Sequence, residues 1–264
     1  MPGTYRPGAG TAAKTVFMRI RYDCRDSIQK GHFMKRETLT VGFILFPKLT
    51  LLDLTGPAEV FGRMPGAKVH LLWKDLEPIE SDCGLRILPS TTFDACPNLD
   101  LICVPGGPGQ VEMMEDTTVL EFLQRVAPQC RLVTSVCTGS LILGAAGLLR
   151  GYQATSHWSS IDQLTLLGAQ PLHARVVRDR NVVTGGGVTS GIDFALSVAA
   201  DLFGAKVAQE IQLQIEYDPH PPFDAGSILT APRGVADSVR QRMAAFLERR
   251  REVSERAGKA LSKG

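Results

Sequence analysis

The chain has 264 residues, 44% of them hydrophobic and 21% charged, with a formal net charge of +2. Such a chain can bury a core as one large α/β domain or two small ones, which excludes disorder throughout. Its longest apolar runs, such as 141–143 before Gly144, stop far short of the ~20 residues that a membrane span needs, so no membrane partner is expected.

Residues 1–37, with Pro2, Pro7, scattered glycines and no lasting periodicity, read as an extension that is disordered or lies ahead of the true start. Met34, followed by Lys35, Arg36 and Glu37 and then a strand, is the candidate start. No charged segment followed by an apolar leader opens the chain, so the expected location is the cytoplasm. The extension carries 8 basic and 3 acidic groups, residues 233–264 carry 9 and 4, and the middle carries 12 and 20. A basic tail can point to nucleic acid, but acidic residues interrupt this one and its apolar residues have helical spacing. A solvated helix face is expected there, with no specific nucleic-acid partner.

From Thr38 short apolar strands alternate with amphipathic helices. Strands are expected at 40–46, 68–73, 99–104, 131–136 and 181–186. Helices are expected from Gly56, Thr118, Thr138, Trp158 and Ser190. Such alternation predicts a doubly wound, mostly parallel α/β sheet with helices on both faces, of flavodoxin-like type. That domain spans 38–231. Residues 232–264, with Val235, Val239, Met243, Phe246 and Leu247 at helical spacing, read as a C-terminal amphipathic helix.

Ligands of open α/β sheets sit beyond the carboxyl ends of the strands, which directs attention to Asp53, Pro105–Gly107, Cys137 and Gly185–Gly187. Six cysteines, with no CxxC and no histidine at ligand spacing, fit neither a disulfide scaffold nor a zinc site. They read as reduced thiols. Cys137 ends one strand and opens a helix whose first residues, Thr138, Gly139 and Ser140, are small enough for the tight turn called a nucleophile elbow. Helix N–H groups and the dipole there favour thiolate over a thiol whose ordinary pKa is ~8.5. With the backbone of Gly106 and Gly107, they form an expected donor set for negative charge developing on a substrate. A buried filler is the alternative, since free cysteine is among the most buried residue types.

Asp53 lies inside the apolar run LTLLDLTGPAEVF. Pro57 is expected at the first helical position with Gly56 as cap, which leaves Asp53 upstream, without a capping duty, as a partly desolvated acid suited to proton transfer. His157, in ATSHW, either reaches the pocket from the next loop or makes a structural hydrogen bond. Thr138 follows the cysteine where a local Cys–His relay would need histidine. The runs PGGPG and TGGGVTSG match no phosphate-binding loop, so no nucleotide is expected.

The runs FILFPKLTLLDLTGPAEVF, LICVPGGPG and VTSVCTGSLILGAAGLLRGYQATSHW together resemble the ThiJ/PfpI superfamily, with its class I glutamine amidotransferase-like fold. Within it, Asp53 and Thr138 follow the pattern of the branch that hydrates isonitriles. The resemblance runs from about Thr38 to about Ala231. It implies a lyase that uses no metal and no organic cofactor and converts an isonitrile and water to an N-substituted formamide. Cys137 would be the nucleophile, Asp53 the proton carrier and Thr138 its orienting partner, in a homodimer. Two other expectations are kept. One is a ligand-sensing domain like that of AraC-type regulators, whose helix-turn-helix units need roughly a hundred further residues where 38 follow Gly226. The other is a redox sensor working through oxidation of Cys137.

Overall fold

The structure, a computed structural model, describes residues 38–262. The extension expected over 1–37 and the candidate start at Met34 lie outside the described residues.

In chain order the elements are β1 (Leu39–Ile44), α1 (Leu51–Phe61), β2 (Ala67–Trp73), β3 (Ile79–Glu80), β4 (Arg86–Ile87), β5 (Thr91–Thr92), β6 (Leu101–Val104), α2 (Gln110–Met113) and α3 (Thr117–Val126). There follow β7 (Leu132–Val136), α4 (Gly139–Ala145), β8 (Gln153–Ala154), a 3-10 helix (Ile161–Leu167), β9 (Gln170–Pro171), β10 (Val176–Asp179) and β11 (Val182–Gly185). Helices α5 (Ser190–Phe203), α6 (Ala205–Gln214) and α7 (Arg233–Leu261) complete the chain.

One seven-stranded sheet, in the order β10-β11-β7-β6-β1-β2-β5, forms the centre. Every neighbouring pair is parallel except β10 on β11. Strands β6 and β7 are buried along their whole length; β6 is accordingly a continuous apolar run, and in β7 the buried Thr134 hydroxyl donates to the Ile102 carbonyl at 2.9 Å. The order β2-β1-β6-β7-β11 is that of a flavodoxin-like doubly wound sheet, with its topological switch point between β1 and β6. The aromatic rings of Phe43, Phe61 and Phe194 contact one another in series at 5.9 and 5.6 Å, joining β1, α1 and α5.

Three elements differ from expectation. Helix α1 starts at Leu51, not near Pro57, which lies inside it. The amide of Thr50 donates to the carbonyl of Gly106 at 2.9 Å, so the glycine loop after β6 fixes this earlier start. The segment after Trp158 winds as a 3-10 helix capped by Gly168 in the left-handed region; such tight winding is common in short pieces. Helix α7 buries Arg250, Val253, Ser254 and Ala257, a stripe beyond Leu247, while Val235 is exposed. Its arginines bind outward partners as well: Arg249 pairs with Glu112 at 2.7 Å, Arg256 with Glu115 at 2.7 Å, and Arg251 with Asp162. These arginines are about half exposed, as a solvated face requires, and their pairs reach α2, the turn after it and the 3-10 helix. Among the described residues, no helix is long and apolar enough to cross a membrane.

Candidate active site

Four chain segments meet beside the switch point, at the carboxyl ends of the strands. The first turn of α1 brings Asp53, the loop after β6 brings Gly106 and Gly107, the end of β7 brings Cys137, and the end of β11 brings Gly185.

Cys137 has a φ of 56°, the left-handed region that a non-glycine residue enters only when its surroundings hold it there. Its amide donates to the Gly185 carbonyl at 3.0 Å. Its own carbonyl accepts from the hydroxyls of Ser140 and Ser156, each at 3.1 Å. These three bonds hold the elbow. Helix α4 then leaves so close to β6 that a Cβ at Gly139 would lie 2.0 Å from the Val104 carbonyl oxygen, so only glycine fits there.

Asp53 is wholly buried. Its Oδ2 accepts from the Gly106 amide at 2.9 Å, and the Gly107 amide donates to Thr138 Oγ1 at 3.1 Å. The two glycine amides therefore hold the side chains of Asp53 and Thr138, which differs from the expectation that they form an open donor set for substrate. Gly106 can sit between them only because it lacks a side chain: a Cβ there would lie 2.5 Å from the Thr138 amide nitrogen and 2.9 Å from Asp53 Oδ2. The amide that faces the sulfur of Cys137 is that of Thr138.

Burial dominates the electrostatics. It pushes the Asp53 carboxyl up to about 7, against the lowering effect of the Gly106 amide and of Cys137. Burial also raises the Cys137 thiol well above its ordinary value, and the charge of Asp53 adds to that, while the Thr138 amide and the Arg250 guanidinium oppose it. The expected low-pKa thiolate is thus absent from the resting site, because desolvation outweighs the helix terminus. Cys137 and Asp53 act on each other's titration without full hydrogen-bond geometry, so Asp53 Oδ1 has no hydrogen-bond partner. Burial thus raises both groups of the pair, the thiol well above its ordinary value and the carboxyl to about 7.

His157 makes the structural bond that was one of its two alternatives: Nδ1 lies 2.8 Å from Ser159 Oγ. Burial, aided by the charge of Arg250, pushes it down to about 4, so it stays neutral. Two contributors escaped the sequence, and Ser140 was visible there only as a small residue of the elbow. Ser156 carries no motif of its own, and Arg250 sits in a run of three arginines that resembles any exposed helix face. The other buried thiols stay protonated as packing groups, since burial pushes Cys103 and Cys130 each up to about 12.

The model of the DJ-1/PfpI family matches residues 39–201, from β1 into α5, and so includes the whole rim. The chain belongs to the DJ-1/PfpI family. This DJ-1/PfpI chain is 55% identical over 224 residues to the isonitrile hydratase of Pseudomonas putida, covering 85% of this chain and 98% of that one. The crystal structure of a ThiJ/PfpI family protein from Pseudomonas syringae superposes with a TM-score of 0.81 at 45% identity, over 82% of this chain and 90% of that one. The HTH-type transcriptional regulator GbdR of Pseudomonas aeruginosa is 30% identical over 193 residues, 69% of this chain but only 52% of the regulator. Helix α7 lies outside the residues that the family model matches.

Proposed function

We propose that this protein hydrates isonitriles to N-substituted formamides through a covalent intermediate on Cys137. The observation that carries the reading is the buried pair of Cys137 and Asp53, locked by Gly106 and Thr138, in a chain so similar to an isonitrile hydratase over nearly that protein's full length.

Asp53 as carboxylate takes the thiol proton while the sulfur bonds to the terminal carbon of R–NC. The carboxylic acid so formed returns that proton to the same carbon, giving the thioimidate R–N=CH–S. Water then adds to this carbon. Its proton passes through Asp53 to the nitrogen, giving R–NH–CH(OH)–S. Loss of the hydroxyl proton closes the carbonyl and breaks the C–S bond, releasing the formamide and a thiolate that recovers the proton. One water is consumed, and no other group is needed. Splitting a difficult addition into two easier ones is what a covalent nucleophile supplies, and each positioned proton transfer contributes roughly 10²–10⁴ in rate.

Thr138 orients the site through its hydroxyl and offers its amide to charge on the sulfur. A homodimer belongs to the same reading. Cytoplasmic residence also fits, because a free nucleophilic thiol stays reduced in that compartment. The test is formamide formation by the purified protein over a panel of alkyl and aryl isonitriles. Turnover of several is expected; none across the panel, with Cys137 reduced, would favour the sensor alternative.

A further inference from the structure

Among the described residues, Arg250 is a cation buried without a carboxylate. It is 4% exposed, whereas Arg249, Arg251 and Arg256 on the same helix each pair with an acid at the surface. Its Nη1 donates to Ser160 Oγ at 2.7 Å. Its guanidinium lies 4.6 Å from the centroid of the Phe246 ring, and its Nε has no hydrogen-bond partner. Burying a cation in this way is costly, and an apolar residue of similar size would be the cheaper filling. The flanking Arg249 and Arg251 reach Glu112 on α2 and Asp162 on the 3-10 helix in half-exposed ion pairs, while Arg250 between them turns inward to Ser160.

Ser160 belongs to the segment after β8 that also supplies Ser156 to the Cys137 carbonyl. Its amide donates to the carbonyl of His157 at 2.9 Å. The guanidinium is therefore tied by a short path to the elbow itself. The ionisable groups whose charge acts on Cys137 are Asp53 from α1 and Arg250 from α7; Cys103 on β6 meets the charge of Asp53 and His157 that of Arg250, and α4 itself contributes none. Cys103 and His157 are uncharged at neutral pH. This leaves Asp53 as an anion that opposes a second negative charge and Arg250 as the cation that favours it.

We infer that Arg250 is a positioning residue for the reaction: α7 sets its buried guanidinium on Ser160 so that its field favours the anionic sulfur of Cys137 when Asp53 takes the proton. The inference rests on Cys137 as the nucleophile. It is tested without turnover, so its failure is distinct from failure of the isonitrile chemistry. The rate at which iodoacetamide alkylates Cys137, read by mass spectrometry of its peptide across about pH 6 to 9, is compared in wild type, Arg250→Lys, Arg250→Met and Ser160→Ala. Arg250→Met is expected to move the profile upward by about one pH unit, a tenfold loss at fixed pH. Arg250→Lys should recover most of that, and Ser160→Ala should shift the profile in the same direction by less. If Arg250→Met does not fold, Arg250→Lys and Ser160→Ala decide. Profiles superimposing on wild type in Arg250→Met or Ser160→Ala, or a lysine variant as slow as the methionine one, would overturn the inference.

Discussion

Replacing Gly106 with alanine tests the geometry of the site through one methyl group. The added Cβ would lie 2.5 Å from the Thr138 amide nitrogen, 2.6 Å from Thr138 Oγ1 and 2.9 Å from Asp53 Oδ2. Ordinary carbon contacts begin near ~3.5 Å, so something must move by about 1 Å. Two of the three atoms are side-chain oxygens, but the closest is backbone at the head of α4, which is itself pressed onto β6 at Gly139. The side chains of Asp53 and Thr138 are therefore driven away from the glycine loop, and with them the bonds at 2.9 and 3.1 Å. Overpacking of this kind costs about 1–3 kcal/mol of stability, and misplacement of reacting groups by about 1 Å costs about 10² in rate. Denaturant unfolding together with steady-state formamide formation reads both. Gly106→Ala is expected to stay folded and lose about a hundredfold in kcat; a folded variant within about threefold of wild type would refute the reasoning.

Other consequences follow from the same geometry. The rate of the free enzyme should rise with pH through about 7, because the carboxylate form of Asp53 accepts the thiol proton; a flat pH–rate profile across neutrality would contradict this. The raised Asp53 value also makes folding pH-dependent. The folded state holds the proton more tightly, so this stabilisation is complete below the ordinary value of 3.8 and lost as pH rises to about 7. Asp53→Asn should therefore raise the Tm above neutral pH, by the equivalent of about 2–4 kcal/mol, and change it little near pH ~4, while abolishing most turnover. Thr138→Val keeps the shape but leaves the Gly107 amide without its acceptor, so a loss of about 1–3 kcal/mol in stability and a lower kcat are expected, measured by unfolding and by turnover.

The central strands were legible because parallel strands buried on both faces read as unbroken apolar runs, and the structure places them within a residue or two of where Val41, Ile102 and Val133 indicated. Cys137 was legible because a strand and a helix meet at it with small residues following. Short pieces such as β3, β4 and β5 left no signal, since two residues carry no periodicity. Pro57 misdirected the start of α1: its preference for the first helical position is a local rule, and the contact between Thr50 and Gly106 is a tertiary one. The thiol was misjudged for a similar reason, as a helix terminus is visible in sequence but the depth of burial over it is not. Arg250 was invisible because only the fold shows that one arginine of three turns inward.

The most direct measurement is formamide formation by wild type and Cys137→Ala, with Asp53 and Thr138 intact and both proteins shown to be folded. The account predicts that wild type turns over a simple alkyl isonitrile and that the variant loses about 10³ or more of the rate, since Cys137 is the thiol among the described rim residues. Formamide production by Cys137→Ala at a rate close to wild type would contradict it.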